Sequence, residues 1–216
     1  VQSGAFMDDY AAILVDKVRS ATGEQRPLDG FKVVVDAGNG AGGFYVEKVL
    51  QPLGADTTGS QFLEPDGSFP NHIPNPEDGT AMQAIMDAVA AQNADLGIIF
   101  DTDVDRAGAV LSDGSELNRN RIIAMLSAIL LREHPGTTIV TDSITSTGLA
   151  KFIEEKGGVH HRFKRGLLLD TLFFQGFYKF LYLWSNYIDI IVPNNSIKLL
   201  PLHFVKSYLK SMRNIV

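Results

Sequence analysis

The sequence has no cysteine at any of its 216 positions. That absence excludes a disulfide framework, a cysteine zinc site and thiol catalysis. An excess of positive charge is also missing: 19 Lys and Arg stand against 25 Asp and Glu, a net charge of -6. A surface of that sign offers no footprint for nucleic acid or an anionic membrane, so neither is expected as a partner. The opening "VQSGAFMDDY" lacks an initiator Met, a basic segment and an apolar core. It reads as the start of a fragment, with no signal peptide. No repeat or low-complexity tract is present, and an intracellular soluble protein is expected.

What is present divides into two compositions. Residues 1–166 hold 19 of the 20 glycines and a net charge of -9 from 14 basic and 23 acidic side chains. Residues 167–216 contain no Ala, no Glu, one Gly and 10 of the 20 aromatics, with a charge of +3. Globular domains mix Ala, Gly and Glu with their apolar residues. The tail therefore reads as divergent, a non-native-looking or alternatively spliced end, with a hydrophobic terminal subdomain as the plainer alternative. Asp170, Lys179 and Asp189 break its apolar run before the ~18 residues that a membrane span needs.

Before Gly166 strand-like and helix-like segments alternate. Phe6, Tyr10, Ile13, Leu14 and Val18 recur at helical spacing and predict a helix over 6–21. "KVVVDAGNGAGG" is a buried strand running into a glycine loop, "GFYVEKVLQPLG" a helix closed by Gly54, and Asp56–Ser60 a short strand. A loop rich in Pro and Asn, "LEPDGSFPNHIPNPEDG", leads to the helix "TAMQAIMDAVAAQN" and the strand "ADLGIIFD". "AGAVLSDG" is another strand, 117–133 an apolar helix, and "TTIVTD", "STGLAKFIEEKGG" and "VHHRFKRG" continue as strand, helix, strand. Such alternation means an α/β fold, here a three-layer α/β/α domain with a mainly parallel sheet and a truncated second α/β domain. Ligands of such folds gather at the carboxyl ends of strands, where Asp36 and Asp101 stand.

The stretch "GIIFDTDVDRAG" ends an apolar run in three carboxylates at alternating positions. In an extended segment Asp101, Asp103 and Asp105 point the same way. Three hard oxygen donors suit a divalent cation such as Mg²⁺, which takes carboxylates together with phosphate oxygens and water. Arg106 fits beside it as a phosphate anchor, or as the neutraliser of the acidic loop, and the two roles can coexist.

Three rival motifs compete for parts of this sequence. An EF-hand beginning at Asp101 needs Gly and Glu where Arg106 and Ser112 stand. A haloacid-dehalogenase-type phosphatase, with Asp101 as nucleophile and Asp103 as acid/base, remains an enzymatic alternative, although that pattern expects Thr or Val in place of Asp105. Gly38, Gly40 and Gly43 satisfy GxGxxG, with Asp56 further on, but a tight turn needing small residues accounts for them. "PNHIPNPE" reads as a stiffened connection whose Asn71 and Asn75 make turns. His72, His160 and His161 are not spaced as a metal cage and receive no role.

Taken in order, "VVVDAGNGAGG", "PNHIPNPE", "GIIFDTDVDRAGAV" and "HHRFKRG" resemble the α-D-phosphohexomutases, the phosphoglucomutase, phosphomannomutase and phosphoglucosamine mutase family. The resemblance implies a four-domain enzyme, of which this chain holds a linker helix (1–24), the metal-binding domain II (25–134) and the opening of domain III (135–166), ahead of the tail (167–216). It implies Mg²⁺ on Asp101, Asp103 and Asp105, a phosphate contact from Arg106, and a substrate-positioning loop beginning at Arg165 and Gly166. The implied reaction interconverts hexose 1-phosphate and hexose 6-phosphate through a phosphoserine and a bisphosphate. No serine stands in the family's T-[AS]-S-H-N-P context, and the third-domain G-E-x-S-G-H motif is absent. Catalytic residues are therefore not assigned, and the isolated chain is expected to be inactive. A non-catalytic product that pairs with the full-length enzyme is the reading of another class.

Overall fold

A computed structural model describes residues 6–163 together with two backbone strands at 178–182 and 188–193. These residues form two compact units, dividing between Leu117 and Asn118.

The first unit opens with helix α1 (Phe6–Thr22), which carries Asp8 and Asp9 in its first turn and Arg19 in its last, the polarity that the helix dipole favours. Its buried face, Ala11 and Val15, packs on Val49 and Leu53. Strand β1 (Val33–Asp36) is buried throughout. Its side chains alternate between two helical layers, as the pleat requires. Val34 faces helix α2 (Gly79–Gln92) in a core with Ile85, Val89, Ile99 and Val110, while Val33 and Val35 face Val46, Leu50 and Phe100. The expected three layers are therefore present. Strand β2 (Leu96–Phe100) lies parallel to β1, and strand β3 (Ala107–Leu111) lies antiparallel to β2. Only Asp101–Arg106 connects β2 to β3, too little chain for a parallel crossover, so this hairpin makes the sheet mixed.

Two elements depart from expectation. The "GFYVEKVLQPLG" segment is a short 3₁₀ turn at Ala41–Gly43 followed by a π-helix over Val46–Leu50. Pro52 has no N–H to give the Lys48 carbonyl, and wider pairs form instead, from Gln51 N–H to the Val46 oxygen at 3.0 Å and from Ala55 N–H to the Leu50 oxygen at 3.1 Å. The strand expected at Asp56–Ser60 reduces to two parallel bridges, Lys32 with Asp56 and Asp36 with Gln61. Between them the chain turns at Gly59 (φ +96°), and the Ser60 hydroxyl accepts the Val35 N–H at 3.0 Å in place of a ladder bond. Helix α2 begins where Asp78 accepts the N–H groups of Thr80 and Ala81, and ends at Asn93 in the left-handed conformation.

The second unit contains helix α3 (Arg119–Glu133), capped by Asn118, strand β4 (Thr138–Thr141), helix α4 (Thr147–Glu155), capped by Ser146, and strand β5 (Val159–Arg162). Strands β6 (Tyr178–Tyr182) and β7 (Ile188–Pro193) complete a sheet ordered β5-β4-β7-β6, in which β4 and β5 are parallel and the other pairs antiparallel. Ile123, Leu130 and Leu131 of α3 pack with Ile139, Leu149 and Ile153. That apolar face puts α3 with the second unit, upstream of the boundary at residue 134 expected from sequence. The rest of the tail lies outside the described residues, and among those residues no helix is long and apolar enough to cross a membrane.

His160 of β5 stands 2.8 Å from the Thr141 hydroxyl. Burial, then the charge of Arg162, hold its pKa below 6.5. The folded state therefore binds fewer protons there than the unfolded chain, and the stability present above 6.5 is lost as pH falls through the folded value. Thermal melting between about pH 7.5 and 5.5 should show a smaller decline for His160→Asn than for the wild type.

Candidate metal centre

Strand β2 delivers Asp101 into the interior, where it is 1% exposed, while Asp103 and Asp105 remain exposed. The loop between them is a turn rather than the extended segment expected. Val104 lies at φ +64°, a left-handed conformation that strains a β-branched residue. The Val104 side chain packs against the core around Phe100. Folded this way, the three carboxylates each bring one oxygen within 4.8 Å of the others. The convergence holds, by a different backbone route.

Arg106 turns back over this cluster. Its backbone N–H donates to Asp101 Oδ1 at 3.0 Å and its Nε to Asp101 Oδ2 at 2.9 Å, and Asp105 Oδ1 lies 3.5 Å from the same Nε. Nη1 donates to Asn75 Oδ1 at 3.1 Å. The contacts Arg106 makes here are those of a neutraliser of the acidic loop. Burial pushes the Asp101 carboxyl up, but the Arg106 N–H, a hydrogen bond from Asp105 and the guanidinium charge outweigh it and leave the pKa below its ordinary value. Asp105 is raised, first by its hydrogen bond to Asp101, then by burial and by the charges of Asp101 and Asp103. Carboxylates this close repel one another, and a cation seated among them relieves that repulsion. An all-oxygen donor set at this spacing fits Mg²⁺.

The glycine loop serves as support. Gly38 N–H donates to Asp36 Oδ1, Asn39 N–H to the Phe62 carbonyl, Gly40 N–H to the Ala37 carbonyl and Ala41 N–H to the Thr102 carbonyl. With these N–H groups engaged, the loop offers no cradle for a dinucleotide phosphate. Asp56 pairs with Lys32, before β1 begins, whereas the loop follows the end of that strand. A side chain on Gly40 would meet Thr102 backbone at 2.8 Å, so its lack of a Cβ lets the loop press on the acidic turn.

Sequence reasoning missed His72. It is buried against Asp36, with Nε2 at 3.0 and 3.1 Å from the two carboxylate oxygens, and Gln61 Nε2 donates to the same carboxylate at 2.8 Å. The available signal was Asp36 itself, since a carboxylate ending a fully buried strand needs a partner. His160 and His161 belong to strand β5 of the second unit, and Arg165 and Gly166 lie outside the described residues.

The family profile described as phosphoglucomutase/phosphomannomutase, alpha/beta/alpha domain II, matches residues 7–114. A phosphoglucomutase of Neisseria meningitidis serogroup A is 35% identical over 134 residues, 62% of this chain and 28% of the relative. A phosphomannomutase/phosphoglucomutase of Pseudomonas syringae pv. tomato is 37% identical over 135 residues, covering 62% and 29%. The crystal structure of a phosphoglucomutase/phosphomannomutase family protein from Burkholderia thailandensis superposes with a TM-score of 0.65 at 32% identity, covering 72% of this chain and 33% of that one. The chain thus spans less than a third of the length of these curated relatives. From residue 7 the layered sheet, the glycine loop and the acidic turn follow one known pattern, and the chain belongs to the phosphoglucomutase/phosphomannomutase family.

Proposed function

We propose that this chain carries the magnesium-binding domain of a phosphohexomutase, an isomerase that interconverts hexose 1-phosphate and hexose 6-phosphate through a phosphoserine and a bisphosphate. The observation that carries the reading is the convergence of Asp101, Asp103 and Asp105 within 4.8 Å at the end of β2, in a chain of this family. Mg²⁺ held there supplies neutralisation of charge on the transferring phosphoryl oxygens. The chain's own contribution is to fix the donors: Asp101 from the buried end of a strand, Asp103 and Asp105 from the turn. Arg106, already beside them, offers a planar set of donors to phosphate oxygens.

Neither the T-[AS]-S-H-N-P context of the phosphoryl-carrying serine nor the G-E-x-S-G-H motif occurs among these 216 residues. Covalent transfer requires that nucleophile, so these residues by themselves are expected to give no turnover of glucose 1-phosphate. Hexose phosphate is the partner of the intact enzyme, and neither nucleic acid nor a membrane is required.

Titration calorimetry of the full chain with MgCl₂ tests it. A saturable heat is expected, and Asp103→Asn, at an exposed position, should weaken binding by about tenfold or more with little change in melting temperature. No saturable heat from the wild-type chain would sink the assignment.

A further inference from the structure

We propose that Asn75 is a positioning residue that fixes the Arg106 guanidinium over Asp101. Its value to phosphate transfer rests on the reading of Arg106 as a phosphate contact, whereas its geometry does not. Asn75 has a defined place because the chain before it is pinned. Asp36, fully buried at the end of β1, gathers the His72 ring, the Gly38 N–H and the Gln61 amide from three different segments. Both His72 ring nitrogens face acceptor oxygens, Nε2 those of Asp36 and Nδ1 the Ile73 carbonyl at 3.0 Å. The ring also packs edge-on against Phe62 at 5.4 Å.

Pro74 continues the anchor. A side chain on Gly38 would meet its Cβ at 2.7 Å, so this loop and the glycine loop are in direct contact. His72 and Pro74 are buried while Asn71 and Ile73 are exposed, and Asn75, half-buried, follows directly on this anchored stretch. There its Oδ1 accepts two donors, the Glu77 N–H at 3.0 Å and Arg106 Nη1 at 3.1 Å. The first closes a local turn and holds the amide orientation. The second meets a guanidinium whose Nε is already bound to Asp101. A planar guanidinium held through Nε and Nη1 cannot rotate about its stem, which fixes where its remaining donors point. An arginine on an exposed loop otherwise samples many rotamers.

The test uses the full chain in magnesium-free buffer and reads solvent exchange of the Arg106 Nε–H by NMR, with melting temperature recorded alongside. Asn75→Ala should accelerate that exchange by about fivefold or more and shift melting by no more than about 3 °C. Asn75→Asp, which keeps an acceptor oxygen, should retain wild-type exchange. Unchanged exchange in Asn75→Ala overturns the proposal, as does equal acceleration in Asn75→Ala and Asn75→Asp. A blank magnesium titration alongside protected Nε–H would remove the metal reading and leave this inference standing.

Discussion

Gly43→Ala is expected to destabilise the first unit by about 3 kcal/mol, lowering its melting temperature by on the order of 10 °C. Gly43 ends the 3₁₀ turn, and a Cβ added there would fall on the carbonyl oxygen of Leu63, with the Leu63 carbonyl carbon at 2.8 Å and Cα at 3.1 Å. The obstacle is backbone, so no rotamer change relieves it. Leu63 in turn packs with the cluster around Phe100 at the end of β2, and Gly42 meets the Phe100 ring, with a would-be Cβ at 2.6 Å. Displacing either segment opens the layer beneath the acidic turn. The control is Gly79→Ala, at the start of α2 with nothing within 4 Å of the added carbon. It should leave stability unchanged or raise it by up to about 1 kcal/mol, alanine being the better helix former. Circular dichroism melts of the two variants decide the matter: equal transitions would mean that the close contact of the two backbones is not sustained in solution.

That contact was invisible in the letters, and the reason is general to this chain. Periodicity reports which side of an element faces inward, so α1, α2 and the buried β1 and β2 were legible. It does not report which neighbour receives that side. Helix α3 has a clear apolar face, yet only its packing on Ile139, Leu149 and Ile153 assigns it to the second unit. Local chemistry that depends on a missing donor was equally hidden, as at Pro52 and the π-helix before it. The carboxylate triad was legible because three aspartates after a buried strand suit few other purposes. Its backbone was not, since nothing in "DTDVDR" announces a left-handed valine. Arg106 was recognised as the cation of the loop, but its hold on Asp101 and Asn75 depends on a loop some thirty residues earlier, and no local pattern carries that pairing. His72 went unassigned for the same reason: its partner is Asp36, 36 residues away.

Asp101→Asn should separate the metal role proposed for that residue from its structural one. Asp101 is the buried member of the triad and both its oxygens are engaged by Arg106, one by the backbone N–H and one by Nε. An amide keeps a single acceptor oxygen. If that oxygen takes the backbone N–H, the amide nitrogen faces Nε, donor against donor. Losing a hydrogen bond to a charged group costs about 1.5–3 kcal/mol, and Arg106, with 38% of its side chain exposed, recovers part of this by turning to water. A net loss of about 1–2 kcal/mol is therefore expected, well short of unfolding the chain. Magnesium affinity should fall much further, by about a hundredfold or more, because a carboxylate in the interior contributes both a ligand and a charge that solvent does not screen. Asp103→Asn, exposed and outside the Arg106 contacts, should weaken binding less and leave melting almost unmoved. Calorimetric titration and thermal melts on both variants give the two quantities independently. Wild-type magnesium affinity in Asp101→Asn would show that the buried carboxylate serves only to hold Arg106, and the metal seat would then have to be built from the exposed pair without it.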